Sequence, residues 1–279
     1  ASSDINKAGK VARAIKKGAK PYVANVARPA EVNKLVEQVM KDFGRIDILV
    51  NAAGVFYPTP TGETKPADMN RMVDINLKGT WNVVNTVVPH MKAQGGGNIV
   101  NMASVAGEVA IPAYPVYCAT KAGIIMMTRA LSVELARAGI HVNAIAPGNT
   151  ETPMNADIRT DPELRPVLDF MAMLTPSGRT YSTAEEMANV ALFLASPVTG
   201  KPRNGPANPA DVGWGAAIFV ASGPLGNTLS QGERVAGVAG RVRGYRRLAV
   251  LRLAVETVFP SSQPFSRREK GFSVGGCPL

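Results

Sequence analysis

Asn98-Ile99-Val100-Asn101-Met102-Ala103, the long run Val116–Ala138, and then Ile140-His141-Val142-Asn143-Ala144-Ile145-Ala146 decide how this chain folds. The first and third are short apolar runs of strand length, and the middle one has helical length and spacing. The first ends at Ser104 and the third closes at Pro147-Gly148, a turn signal. Working outward, Ile46–Val50 reads as another compact strand and Pro21–Val26 as a further one. Ala30–Phe43 is an amphipathic helix with Val32, Leu35, Val36 and Val39 inward. Met69–Met91 is helical up to the Gly95-Gly96-Gly97 breaker, and Glu185–Ala195 is a last helix. Apolar strands alternating with helices predict an α/β fold, a parallel sheet covered on both faces. In such sheets ligands sit beyond the carboxyl ends of the strands. Asn51, Ser104 and Pro147-Gly148 fall there.

Composition narrows the classes of function. The 279 residues are 46% hydrophobic, ordinary for a chain with a real core. No run approaches the length of apolar sequence that a membrane helix needs, so no membrane span is expected. Cys118 and Cys277 are the two cysteines, which excludes a disulfide framework and makes a reducing cytoplasm the expected compartment. With His90 and His141 the two histidines, no metal site is expected. The net charge of +10 is unevenly spread. Residues 200–279 hold 11 Lys and Arg against 4 Asp and Glu, so the body is close to neutral. A basic tail, including Arg241, Arg243, Arg246 and Arg247, is usually a solvated stretch, and no nucleic-acid partner is expected.

The chemistry sits in Tyr117-Cys118-Ala119-Thr120-Lys121, with Ser104 upstream. Residues four apart on a helix share a face. A neighbouring ammonium favours the phenolate and should pull a tyrosine's pKa of about 10 towards neutrality. A phenol tuned in that way is a general acid–base. The bland alternative for Tyr117 and Lys121 is a surface pair on a helix. For Ser104 it is a cap, and for Asn76 a buried amide satisfying backbone groups.

Further segments join this trio in a fixed order: Asp47-Ile48-Leu49-Val50-Asn51-Ala52-Ala53-Gly54 and Asp74-Ile75-Asn76-Leu77-Lys78-Gly79 precede it. Pro147-Gly148-Asn149-Thr150-Glu151-Thr152-Pro153-Met154 and Pro176-Ser177-Gly178-Arg179 follow. Together they resemble the short-chain dehydrogenase/reductase family, in the manner of its 3-oxoacyl-carrier-protein reductases and small-alcohol or sugar dehydrogenases. The resemblance implies a Rossmann-like doubly wound parallel sheet and NAD(P)-dependent hydride transfer between a secondary alcohol and a ketone. It implies that Tyr117 exchanges the proton, Lys121 lowers its pKa and holds the nicotinamide ribose, and Ser104 hydrogen-bonds the substrate oxygen. Asn76 would anchor a water in a proton relay. Asn51, Ala52, Ala53 and Gly54 would flank the adenosine half, with Asn25 and Val26 near the adenine. Pro147, Gly148, Thr150 and Thr152 would bind the nicotinamide side. Asp4 would accept from the ribose 2′-hydroxyl and repel a 2′-phosphate, favouring NAD, with NADP as the other possible cofactor.

Two family elements are not found. The first strand with its Gly-rich phosphate turn should precede Asp4, and the last strand, normally ending in Asp-Gly-Gly, should follow 185–195. The expectation is therefore an incomplete catalytic domain over 1–197 and a divergent, basic, Gly/Pro-rich and disordered tail over 198–279, in a truncated or frame-disrupted copy. Within that tail, Ala216–Ala221 reads as a strand and Leu248–Val258 as a short helix. The competing functional reading is an inactive remnant, or a scaffold whose basic tail contacts acidic partners. By resemblance a homo-oligomer, dimer or tetramer, is expected through the helices containing Thr80–Met91 and Val116–Ala138. The partner is a small alcohol or ketone. Asn155–Thr175, with Ile158, Leu164, Phe170 and Met171, is expected to be an apolar lid loop.

Overall fold

The computed structural model describes residues 4–15, 18–174, 179–195, 217–221 and 250–255. Most of the tail, its arginine cluster and Pro176–Gly178 lie outside the described residues.

Helix α1 spans Ile5–Ile15 and α2 Pro29–Phe43. Helix α2 starts at a proline, which needs no amide partner at a first-turn position, and stops at Gly44 in the left-handed conformation with φ 75°. Its Val32, Leu35, Val36 and Val39 are buried, as the periodicity predicts. Strand β1 is Ile48–Ala53, β2 Gly97–Met102 and β3 Ile140–Pro147. Between β1 and β2 runs a continuous helical stretch: α3 (Pro66–Met72), a π-helical turn (Val73–Lys78) and α4 (Gly79–Ala93). Helix α5 spans Pro115–Leu135 and leads through a 3-10 turn into β3. It buries Thr120, Lys121, Ile124, Ile125, Thr128, Leu131, Ser132 and Leu135, a stripe at helical spacing. Beyond β3 come α6 (Ala156–Thr160), α7 (Arg165–Leu174) and α8 (Ala184–Ala195), then β4 (Ala217–Ala221) and β5 (Val250–Val255).

The sheet order is β4-β3-β2-β1-β5. Strands β1, β2 and β3 are parallel, with Asn51 level with Asn101 and Asn101 level with Ala144. Their carboxyl ends therefore form one rim, where Gly54 and Ser104 follow β1 and β2 and Pro147 ends β3. One core cluster joins β1, β2 and β3 (Leu49, Ile99, Val142) to α2 and α4 (Leu35, Val36, Val84, Val87). A second, with Ile48, Val100, Ile145 and Met187, lies under α8. The sheet is thus covered on both faces.

Four expectations need correction. Pro21–Val26 is not a strand: Val23 alone makes a bridge, and Ala24 and Val26 pack into the core from an irregular segment. Second, within the expected helix Leu248–Val258 the described residues Val250–Val255 form a strand that pairs parallel with β1 along its whole length, and the rest of that range lies outside the described residues. Side-chain spacing could not show that backbone pairing with β1 was available. Third, the strand at 217–221 is present as read, but it runs antiparallel to β3, so the sheet is mixed. Finally, the described part of Asn155–Thr175 is largely helical, as α6 and α7, and not a loop.

Candidate active site

The site grows from two places where backbone meets backbone closely. Ser104 follows β2 and caps a 3-10 turn (Val105–Gly107), its Oγ accepting from the Ala106 amide at 3.2 Å. At Gly107 this turn lies against α5. A Cβ there would stand 2.7 Å from Ile125 Cδ1, 2.8 Å from the Lys121 carbonyl carbon and 2.9 Å from the Ala122 nitrogen. Only glycine lets the turn approach that near, and the approach brings Ser104 to the start of α5. The serine hydroxyl also donates to the Pro147 carbonyl at 3.5 Å, tying β2 to β3 at the rim.

Tyr117 is half-buried on the first turns of α5, with Ser104 close enough to its hydroxyl to favour the phenolate. Lys121 is 5% exposed, with Nζ 5.5 Å from the centre of the Tyr117 ring, and donates to the Met102 carbonyl at 2.9 Å. Burial pushes the Lys121 ammonium down to about 8. Burial also pushes the Tyr117 phenol up to about 12, against the lowering effect of the Ser104 hydrogen bond. This reverses the direction expected from sequence. Desolvation of the phenolate outweighs the lowering effect of Ser104, and Lys121, beside the ring face, is not among the groups that shift it.

Asn76 is fully buried in the π-helical turn. Its Oδ1 accepts from the Val55 amide at 2.8 Å and its Nδ2 donates to the Val55 carbonyl at 3.0 Å and to Thr120 Oγ1 at 3.3 Å. The side chain therefore fastens the loop after β1 to α5. A Cβ on Gly54 would lie 3.4 Å from Asn76 Oδ1 and 3.8 Å from Lys121 Nζ, so Gly54 and both polar groups share one corner.

The remaining expected residues fall into two groups. Around β3, Thr150 forms a bridge with Ser182 and their hydroxyls are 3.2 Å apart. Asn155 accepts from the Thr152 amide at 3.2 Å and donates to the Thr150 carbonyl at 2.9 Å. Together with Pro147 and Gly148, these two threonines line the rim beyond β3. Asn51 is buried and donates to Asn101 Oδ1 at 2.9 Å; Asn101 donates in turn to Thr128 Oγ1 at 3.0 Å. Its side chain thus joins β1, β2 and α5, while Ala52, Ala53 and Gly54 carry the chain to the rim.

Farther off, Asp4 directly precedes α1, and its Oδ1 accepts from the amides of Asn6 at 2.8 Å and Lys7 at 3.4 Å. It caps that helix. Asn25 Oδ1 accepts from the Ala27 amide at 3.0 Å. Val26 is a core residue whose carbonyl accepts from Asn82 at 2.9 Å.

Sequence reasoning overlooked Asn101, Thr120, Gly107 and an aromatic group: Phe56 stacks on Tyr114 and meets Tyr117 edge-on. Asn101 had a signal, a second polar residue inside an apolar strand at the level of Asn51. The aromatic group had none, because Phe56 is far from Tyr117 in sequence.

Beyond a rim of three parallel strands, a serine, a tyrosine and a buried lysine thus come together. A family model described as enoyl-(acyl carrier protein) reductase matches residues 1–202. The chain belongs to the short-chain dehydrogenase/reductase family, whose members are NAD(P)-dependent oxidoreductases. It is 42% identical over 176 residues to a 3-oxoacyl-(acyl-carrier-protein) reductase of Thermotoga maritima, covering 63% of this chain and 69% of that protein. It is 43% identical over 180 residues to the oxidoreductase UcpA of Escherichia coli, covering 62% and 67%. The fold is similar to a gluconate 5-dehydrogenase from Burkholderia cenocepacia in complex with NADP and tartrate, with 34% identity and a TM-score of 0.65 over 71% of this chain and 77% of that one. Among the described residues, no group of three metal-ligating side chains exists, and no helix is long and apolar enough to cross a membrane.

Proposed function

We propose that residues 1–197 catalyse reversible reduction of a ketone to a secondary alcohol. The convergence of Ser104, Tyr117 and Lys121 carries this reading. The Tyr117 hydroxyl donates its proton to the carbonyl oxygen, while the Ser104 hydroxyl hydrogen-bonds the same oxygen where negative charge develops. The buried Lys121 ammonium then stabilises the phenolate left behind, and a water chain starting at Asn76 restores the proton. A neutral phenol at rest suits the reductive direction, since the proton to be given is in place.

A bound nicotinamide dinucleotide supplies the hydride. The residues present fit its nicotinamide–ribose end. Lys121 spends one N–H on Met102, which leaves further donors on a buried cation next to the small Gly54, as a vicinal diol requires. Asn51 to Gly54 and Asn25–Val26 are assigned to the adenosine side, and Pro147, Gly148, Thr150 and Thr152 to the carboxamide side. NAD is the preferred cofactor, through the carboxylate of Asp4 at the start of α1. The substrate is a small ketone or alcohol and the protein works in the cytoplasm. The chain forms homo-oligomers through α4 and α5, where Trp81, Met126 and Val133 stand 46%, 59% and 60% exposed.

Three measurements test the reading. Titration of NADH fluorescence should give a saturable signal, and its absence at millimolar cofactor favours the non-enzymatic scaffold. A panel of ketones and 3-oxoacyl thioesters with NADH and NADPH should then reveal turnover. Light scattering after gel filtration reports the oligomer.

A further inference from the structure

Helix α5 places the Tyr117 backbone, but two rotatable side-chain bonds separate it from the plane of the ring. Something else must aim the hydroxyl. Ser104 lies near its hydroxyl end. The ring itself is met by Phe56, edge to face, with centroids 4.8 Å apart and planes at 75°. This is a favoured arrangement of aromatic quadrupoles.

Phe56 is in turn held. It stacks on Tyr114 at 4.5 Å, with planes 2° apart. Its loop is tied to the turn before α5, because the Thr59 amide donates to the Ala113 carbonyl at 2.7 Å and the Val116 amide to Thr59 Oγ1 at 3.3 Å. Thr59 is 1% exposed, and Ala113 adopts φ 65°, unusual for a residue with a Cβ. A strained turn and a buried threonine thus converge on one outcome, a fixed place for the Phe56 ring. Phe56 itself is half-buried and belongs to none of the core clusters. Bulk for the core does not account for an aromatic residue there.

We infer that Phe56, backed by Tyr114, is a positioning residue that orients the Tyr117 ring towards the carbonyl oxygen beside Ser104. This rests on the ketone-reductase reading above. Phe56 touches neither proton nor hydride; it removes the ring's freedom to swing away.

The test uses the full chain with Phe56→Ala, Phe56→Leu and Phe56→Tyr. A misplacement of about 1 Å at a reacting group can cost about 100-fold. Accordingly, Phe56→Ala should lower kcat by about 30- to 100-fold and Phe56→Leu, which keeps the bulk, by about 10-fold. Phe56→Tyr should restore kcat to within about twofold, and all three should keep the NADH affinity of the wild type. Ring-labelled tyrosine NMR gives a second readout, with the Tyr117 signal assigned by its loss in Tyr117→Phe. That signal should shift or split in Phe56→Leu and return to its place in Phe56→Tyr. Equal kcat for wild type and Phe56→Leu, with an unmoved signal, overturns the inference. Should the wild type reduce no ketone at all, the reductase reading fails, and the NMR comparison alone decides whether Phe56 holds the ring.

Discussion

The two ends of the candidate site are built differently. At the reacting end, every functional side chain is held by groups distant in sequence. Asn76 grips Val55 and Thr120, Ser104 reaches Pro147, Lys121 reaches Met102, and Phe56 presses on Tyr117. At the end proposed for adenosine, several contacts are local: Asp4 with Asn6 and Lys7, and Asn25 with Ala27 and Glu31. The exceptions are Asn82 on the Val26 carbonyl and Asn51 on Asn101. Proton transfer needs sub-ångström placement that only the folded sheet and α5 can provide, whereas a turn or helix cap can form wherever its own few residues meet. Changes at the first end should therefore be severe, and changes at the second mild.

The largest expected effect is Tyr117→Phe. Removing the proton donor should lower turnover by about 100- to 10,000-fold with NADH affinity retained. Steady-state kinetics beside a fluorescence titration checks it; retained turnover would break the comparison at its strongest point. Next is Asn76→Ala, which strips partners from a buried amide and a buried carbonyl of Val55. A loss of about 2–4 kcal/mol in urea unfolding is expected, with a fall in kcat as the loop after β1 loosens.

A pH dependence sharpens the picture at Lys121. Its folded pKa is lowered from 10.5 to about 8, so between those values the unfolded chain binds the extra proton. Stability should then rise as pH increases through that window, because the cost of a buried charge disappears. Lys121→Met should lack this rise. Chemical unfolding of both proteins across the window provides the measurement, and identical slopes would mean the ammonium is not buried as described.

At the local end, Asp4→Ala should cost about 0.5–2 kcal/mol at most, as for other helix caps. Its more telling consequence should be a smaller preference for NADH over NADPH in kcat/KM. An unchanged ratio would leave Asp4 as a cap and nothing more.

Much of the fold was readable because amphipathic periodicity reports burial. Helices α2, α5 and α8, and strands β1 to β3, follow directly from where Val, Leu and Ile recur. The misreadings share a cause. Pro21–Val26 and Leu248–Val258 are short apolar segments whose state is set by which backbone is available to pair, and that is a tertiary fact. The direction of the Tyr117 shift was misjudged for a similar reason, since spacing brings a cation near but says nothing of how much water burial removes. The candidate residues on strand ends and on α5 were singled out through the family resemblance. Their partners, Asn101, Thr120 and Phe56, were not, because each belongs to a different segment.

The π-helical turn at Val73–Lys78, where the Gly79 amide reaches back to the Asp74 carbonyl, has a consequence for redesign. It holds one more residue than an α-helical turn, so the helix on either side keeps a buried seam, Met72 before and Val83 after, with Asn76 presented between. Removing one residue to regularise that stretch would tighten the winding, yet it would rotate the amide away from Val55 by roughly a quarter of a revolution. A straighter helix would thus come at the expense of the strut between the first rim loop and the base of α5.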